Sequence, residues 1–445
     1  MQFKSGKHKI IITNTIVMKN ILYIATVVML FAACNNEVME FNQQEITQQK
    51  QLSKNRTVSE AIDIANNAVG QFFEVTRAGG KVVDIDNIEV VTSSATRSGG
   101  EGGDTLLYVV NYADNNGFAV VSASRNTEGL LAVTEQGNYD PIVESKNGGF
   151  EMFMDMAEEY VSNAIIEIPE PELQDPIIYP RKEIREEVDT TIHIDIAPKL
   201  EVQWGQYGIE GQFAPNGLAG CANTAAAQIM SYFCYPTQIN LSYLGDNARN
   251  LYLDWDAMKY HKGSHKHGCV ATLEAHNAIS YLHRELGKRN NSYYNNFLNE
   301  TTTEITNVIS TFRSLGYTAT GLINYYNIDF ASFLNYNDFI YMTGSTHSQG
   351  SGHAWVIDGG KKSIITIRYW TRTQGSLIWE LHSEFTSETE YYHHNWGYDG
   401  DYNGYFNANV FDMSNARSYD NDTLNNEEAD PQNFRYNLKF FIVRR

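Results

Sequence analysis

Four short stretches carry residue types that can do chemistry together. In "LAGCANTAAAQIMSYFCYP", residues 218–236, Cys221 follows a glycine and opens a run of small and apolar residues that reads as helix and stops at Pro236. The thiolate is the reactive form of cysteine. A helix N-terminus or a nearby imidazolium lowers a thiol pKa from about 8.5 to roughly 3.5–7.5. By itself the stretch fits a buried packing cysteine better than a nucleophile. A nucleophilic cysteine needs a base. "GSGHAWVIDGG" offers His353, held by the strand-forming Trp355, Val356 and Ile357, while Gly350 and Gly352 leave room for a substrate backbone. "HHNWGYDGDYNGYF" offers Asn395, whose amide can orient an imidazole, and Trp396, whose indole can shield that hydrogen bond from water. "VQWGQYG" offers Gln206, an amide donor for an oxyanion alongside the Cys221 N–H. A polar loop histidine and a glycine-rich hairpin are the plain alternatives for the first two of these three, and a glutamine fifteen residues before a Gly-Cys carries little signal alone.

The elements that must hold them fall late in the chain. Small residues Ala222, Ala225, Ala226 and Ala227 predict a closely packed, central helix after Cys221. All six tryptophans lie beyond residue 200, so residues 200–445 carry the large aromatic core. This part mixes helices and loops first, then strands and Gly/Asn-rich turns. Residues 55–166 read as a small α+β domain. Thr57 with Glu60 forms a capping box, "TLLYVVNY" and "GFAVVSAS" read as strands joined at "ADNNG", and "FEMFMDMAEEYVSNAI" reads as an amphipathic helix. Between the two, residues 167–199 hold Pro169, Pro171, Pro176 and Pro180 and dense charge, which predicts an exposed linker.

The leader "MKNILYIATVVMLFAAC" has the form of a secretory signal over residues 1–33, with Met18 as a second candidate start. Ala32 and Ala33 before Cys34 predict a bacterial lipoprotein, lipidated at Cys34, with residues 34–54 as a Gln-rich tether. The expected location is the outer membrane, cell surface or periplasm, reached through the lipid anchor. Beyond Cys34 there are Cys221, Cys234 and Cys269, an odd number, so at least one thiol lies outside any intrachain disulfide. A formal charge of −20 argues against a nucleic-acid partner.

The order Gln206, Cys221, His353, Asn395–Trp396 is that of papain-like cysteine peptidases. The segments "GCANTAAAQIMSYFCYP", "GHAWVIDG" and "NWGYDGDYNGYF", with "GFAVVSASRNTEGLLAVTEQGNYD" upstream, resemble the streptopain family. The resemblance implies an α+β papain-like peptidase domain, a helical half plus an antiparallel β half, behind a small α+β propeptide. It implies Cys221 as nucleophile, His353 as base and acid, Gln206 as oxyanion donor, Asn395 and Trp396 as supports of the histidine, and Gly352 as a backbone substrate contact. It implies protein or peptide substrates, the propeptide as intramolecular inhibitor, and no cofactor. Tyr398 and Asp399 depart from the Trp and Gly common in the family, and the span 361–394 is longer than usual and reads as an extra hairpin. Arg181, Lys182, Arg185 and Lys199 are candidate activation sites. His261, His265, His267 and Cys269 have a metal-like spacing, but a solvated loop is the expected reading, with no metal. Cys234 is expected to be a packing residue. A catalytically inactive surface-binding lipoprotein and a Cys-His acyltransferase are the competing functions.

Overall fold

The computed structural model describes residues 55–73, 84–93, 104–141, 147–164, 182–262, 271–325, 328–345, 352–373, 376–412 and 437–445. Cys34, Arg181, His265, His267 and Cys269 lie outside them.

The N-terminal region begins with helix α1 (Val58–Phe72), started by Thr57. Its hydroxyl accepts from the Glu60 N–H at 3.3 Å, and the Glu60 carboxylate accepts from the Thr57 N–H at 2.7 Å. Strands β1 (Ile85–Thr92), β2 (Thr105–Tyr112), β3 (Phe118–Ser122) and β4 (Leu130–Thr134) form an antiparallel meander. The β2–β3 turn carries Asp114 and Asn115 at φ of 60° and 59°, residue types that tolerate the left-handed region. Helix α2 (Gly148–Ala164) follows.

Strand β5 (Lys182–Ile196) leads into the second region. There follow α3 (Cys221–Phe233), β6 (Gln238–Asn240), β7 (Asn250–Tyr252), α4 (Trp255–Lys259), α5 (Leu273–Arg289), β8 (Tyr293–Asn295), β9 (Glu300–Thr302), α6 (Ile305–Ser314), β10 (Thr318–Ala319), β11 (Ile323–Asn324), α7 (Ala331–Leu334), β12 (Phe339–Ser345), β13 (Gly352–Thr373), β14 (Glu380–Asn395), β15 (Gly404–Asn407) and β16 (Lys439–Arg444). The fold is α+β: a helical half around α3 and α5, then an antiparallel β half.

One sheet runs through both regions in the order β1-β2-β3-β4-β15-β14-β13-β12-β16-β10, with β11 on β16 and β5 on β13. The junction is β4 with β15, where Gly404 faces Thr134 and Phe406 faces Ala132. The apolar core crosses the same junction. Phe150, Phe153 and Met156 of α2 are buried in one cluster with Trp355, Trp396 and Phe406 of the β half. Burial of a phenylalanine contributes about 1.5–3 kcal/mol, so Phe150 and Phe153 alone seat α2 firmly. A second cluster packs Ala225, Ala226, Ala227 and Ile229 of α3 against Ile279 and Leu282 of α5 and Tyr341 and Val356 of the sheet. The small side chains let α3 lie close to its neighbours, as the sequence suggests.

One of two expectations differs from the structure. Residues 182–196, expected within an exposed linker, form a strand paired with β13 from Gly360↔Ile196 to Thr373↔Lys182. Alternating β-branched residues in "VDTTIHIDI" are the signal, which four prolines just upstream masked. The span 361–394 forms the expected hairpin, with Lys361 to Thr371 paired antiparallel to Tyr391 to Glu380. It extends the histidine strand itself, so that β13 is 22 residues long and pairs with β14 almost throughout.

Candidate active site

Cys221 is the first residue of α3 and is partly buried. The helix has no side-chain cap at Gly220, so its first N–H groups remain turned toward the site. Gly220 has φ +89°, and a Cβ there would come within 2.7 Å of Thr301 Cγ2. Backbone freedom and close approach therefore both require the glycine that precedes the cysteine. The backbone N–H groups of Ala354, Ala222 and Cys221 itself lie near the sulfur and favour its charged form. Ala354 follows His353, so the cysteine helix touches the histidine strand directly.

Three backbone links fix Gln206 beside Cys221. The Ala219 N–H donates to the Gln206 carbonyl at 2.8 Å, and the Thr224 hydroxyl of α3 donates to the Gly205 carbonyl at 2.9 Å. Deeper in the same helix, the Tyr341 hydroxyl donates to the Ala222 carbonyl at 2.9 Å, tying α3 to β12. Gln206 is buried, and its side chain lies near Tyr398. The Tyr398 ring lies 5.4 Å from that of His353.

His353 lies on β13 opposite Gly344 of β12 and is buried. Its Nε2 donates to the Trp396 carbonyl at 2.8 Å. Asn395 is near in the fold but makes other bonds. Its amide donates to the Val202 carbonyl at 3.2 Å, and its oxygen accepts from the Gly397 N–H at 3.2 Å. Trp396 is fully buried, 5.0 Å from Trp355 between ring centroids, with its indole N–H on the Tyr402 carbonyl. Gly352 is exposed at the start of β13, paired with Ser345. Cys234 lies at the far end of α3. It is the left-handed C-cap, with φ 47°, and is partly buried rather than a full core residue.

Burial favours the neutral form of both reactive groups. Burial pushes the Cys221 thiol up, against the pull of the three N–H groups near it. Burial pushes the His353 imidazole down to about 4. Among the described residues, the hydrogen-bond partner of His353 Nε2 is the Trp396 carbonyl and not the thiol.

The first turn of α2 closes the site. A Cβ on Gly149 would lie 2.5 Å from His353 Cδ2 and 2.5 Å from Trp396 Cε3, so the helix backbone rests on both rings. The Gly148 backbone lies near Tyr398. Asn147 caps α2 by accepting from the Phe150 N–H at 3.1 Å, and its amide reaches the Asp401 carbonyl at 3.5 Å.

Residues 203–406 match the Peptidase C10 family, and residues 44–161 match the Spi protease inhibitor. The chain belongs to the Peptidase C10 family. It is a streptopain-type cysteine peptidase zymogen, with an inhibitor domain as intramolecular propeptide ahead of the C10 peptidase domain. Among solved structures, a prointerpain A fragment from Prevotella intermedia is 18% identical, covering 80% of this chain and 98% of its own, with a TM-score of 0.47. Active interpain A from the same organism is 19% identical, covering 56% of this chain and 94% of its own, with a TM-score of 0.35. A search among curated proteins returns no match. Within the C10 domain the contacts of Gly148 and Gly149 were not legible in the sequence. They join residues about two hundred positions apart, and "NGG" ahead of a helix carries no catalytic signal of its own.

Proposed function

We propose that this chain is the latent form of an exported cysteine endopeptidase that becomes active when its N-terminal domain leaves. What carries the reading is Cys221 at an uncapped helix N-terminus, with the His353 strand packed against α3 and the Gln206 loop bonded to it.

In the released enzyme the Gly149 backbone no longer covers His353, and the imidazole is free to turn from the Trp396 carbonyl to the thiol. Proton transfer then gives a thiolate and an imidazolium. The thiolate adds to the peptide carbonyl carbon. The oxyanion accepts from the Cys221 N–H and the Gln206 amide, each such donor contributing about 2.7–4 kcal/mol. His353 gives its proton to the leaving amine as the C–N bond breaks. It then takes a proton from the water that attacks the thioester, and the acid product and free thiol are regenerated. Asn395 orients the imidazole once His353 has turned, Trp396 shields that bond, and Gly352 lets the substrate backbone lie against β13. Lipidation at Cys34 places the enzyme at the outer membrane or cell surface; labelled fatty acid absent from the mature protein would reject that part.

The test is peptide hydrolysis by the uncut chain, by the chain cut by limited proteolysis, and by the cut Cys221→Ala variant. The expected result is activity in the cut chain alone. Equal activity before and after cutting would reject latency, and activity in Cys221→Ala would reject the mechanism.

A further inference from the structure

We infer that Glu210, joined to His261, is a positioning residue for the segment that carries the oxyanion amide of Gln206, an inference that rests on the peptidase reading above. By spacing, His261 belongs with His265, His267 and Cys269 in a metal-like run. In the fold it is buried and bonds to a carboxylate instead.

Residues 203–206 lie in no helix or strand, so no ladder holds them. Their hold comes from other segments. The Gln203 N–H donates to the Lys262 carbonyl at 2.9 Å, and the Trp204 indole N–H donates to the His261 carbonyl at 2.7 Å. The Gly205 N–H donates to Glu210 Oε1 at 3.4 Å, and the same oxygen accepts from His261 Nε2 at 3.0 Å. One carboxylate oxygen thus ties the residue before Gln206 to the residue whose carbonyl holds Trp204. Gly205 is engaged elsewhere as well. Its carbonyl accepts from the Thr224 hydroxyl at 2.9 Å, and a Cβ on it would come within 2.7 Å of Asp399 Oδ2.

The Glu210 side chain is fully buried and that of His261 is 5% exposed. The second carboxylate oxygen is buried with no hydrogen-bond partner among the described residues. Such a pair is a poor source of stability, because desolvation offsets the attraction and apolar side chains of similar volume often do as well. What it supplies is an acceptor at a fixed point for the Gly205 N–H. Oxyanion stabilisation comes from preorganised donors, and the Gln206 amide is preorganised only if its backbone is. The supports also differ in permanence. The Gln203 side-chain amide donates to Glu135 of the N-terminal region at 3.4 Å, and that bond is lost when the region leaves. Glu210, His261 and Thr224 lie within the peptidase domain and stay. In the released enzyme the segment rests on them, on Lys262 and on Ala219.

The experiment compares wild type, Glu210→Leu, Glu210→Gln and His261→Phe, each purified as the full chain and then cut by limited proteolysis. Leucine fills the space and removes the acceptor. Glutamine keeps an acceptor and removes the charge. Phenylalanine keeps a ring and removes the donor that fixes the carboxylate. For Glu210→Leu the expected result is a fall in kcat of about tenfold on a peptide amide, less than the 10²–10³ of losing an oxyanion donor outright, with KM within about twofold. Binding of a peptide aldehyde, whose hemithioacetal oxygen uses the same donors, should weaken by about the same factor. The rate of Cys221 alkylation by iodoacetamide, a displacement with no tetrahedral oxyanion, should not change. Glu210→Gln, which still offers a carbonyl oxygen, should stay within about threefold of wild type. His261→Phe should follow Glu210→Leu, and it takes that variant's place if the leucine chain does not fold. Glu201→Gln serves as control, since that exposed carboxylate binds Lys259 at 3.2 Å and not the segment. Unchanged kcat and aldehyde binding in the folded leucine or phenylalanine variant, with an active wild type, would overturn this inference alone. An equal fall in alkylation would overturn it too, by placing the effect on the thiol, and so would a Glu210→Gln chain as slow as Glu210→Leu. A cut wild type that is alkylated at Cys221 but hydrolyses no peptide would overturn the peptidase reading beneath it.

Discussion

Cys221 and His353 are held neutral by the same cause acting in opposite directions. Burial disfavours a charge, so the thiol rises and the imidazole falls to about 4. A raised thiol has little thiolate at neutral pH, and the fraction grows only as pH climbs through its elevated pKa. Iodoacetamide should therefore label Cys221 slowly in the uncut chain at pH 6.5, with a rate that rises into the alkaline range. In the cut chain the thiolate–imidazolium pair should react quickly at pH 6.5, and its profile should belong to the pair rather than to one residue. Identical pH–rate profiles for the two forms would contradict this account.

At the level of elements, the first turn of α2 and strand β5 each invite a direct test. Gly148 and Gly149 are neighbours with different surroundings: a Cβ on Gly148 meets nothing within 4 Å, whereas one on Gly149 meets His353 and Trp396 at 2.5 Å. Overpacking of this kind costs about 1–3 kcal/mol. Gly149→Ala should accordingly raise peptide hydrolysis by the uncut chain, roughly 5- to 150-fold if all of that strain falls on the seated form, while Gly148→Ala should leave it unchanged. β5 bears on where the chain can be cut. Lys182 and Arg185 lie on a strand whose backbone is paired with β13, and the Lys199 ammonium is held by the carbonyls of Leu334 and Asp338. A protease needs its substrate extended and unpaired. Mass mapping after brief trypsin treatment should show no cut after Lys182, Arg185 or Lys199 while the fold is intact; early cleavage at any of them would show that β5 does not hold.

Across the whole molecule, the inhibitor domain and the peptidase domain share a sheet, a core and a buried charge cluster. His393 of β14 is bonded through Nδ1 to Asp358 of β13 at 2.6 Å, and its Nε2 lies 3.6 Å from Glu135, just beyond β4 of the inhibitor domain. Burial alone would lower the imidazole. The charge of Asp358, its hydrogen bond and Glu135 outweigh this and push it up to about 10. Because the folded value lies above the unfolded one of about 6.5, the stabilisation is complete below that pH and is lost as pH rises toward 10. Asp358 also accepts from the Leu200 N–H at 2.8 Å, an acceptor role that asparagine can keep. Asp358→Asn should destabilise the uncut chain by about 3–5 kcal/mol at pH 6, the scale of a broken buried pair. The gap to wild type in thermal unfolding should narrow as pH approaches 10. A gap independent of pH would assign the effect to packing.

The amino-acid sequence by itself determined which groups are present and in what order: a glycine and cysteine at a helix start, a histidine on a strand, a glutamine upstream, an Asn-Trp downstream. It also determined α1 through its capping box, the β2–β3 hairpin through its turn residues, and α3 through its small side chains, because each of these is written within a few neighbouring positions. Only the tertiary structure decided what those groups touch. His353 bonds to the Trp396 carbonyl rather than to Asn395, Gly149 lies on the histidine, and residues 182–196 join the sheet. Each is a contact between segments far apart in the chain, set by how the sheet and the core bring them together. No local pattern encodes such a pairing, because the free energy that selects it belongs to the packed whole.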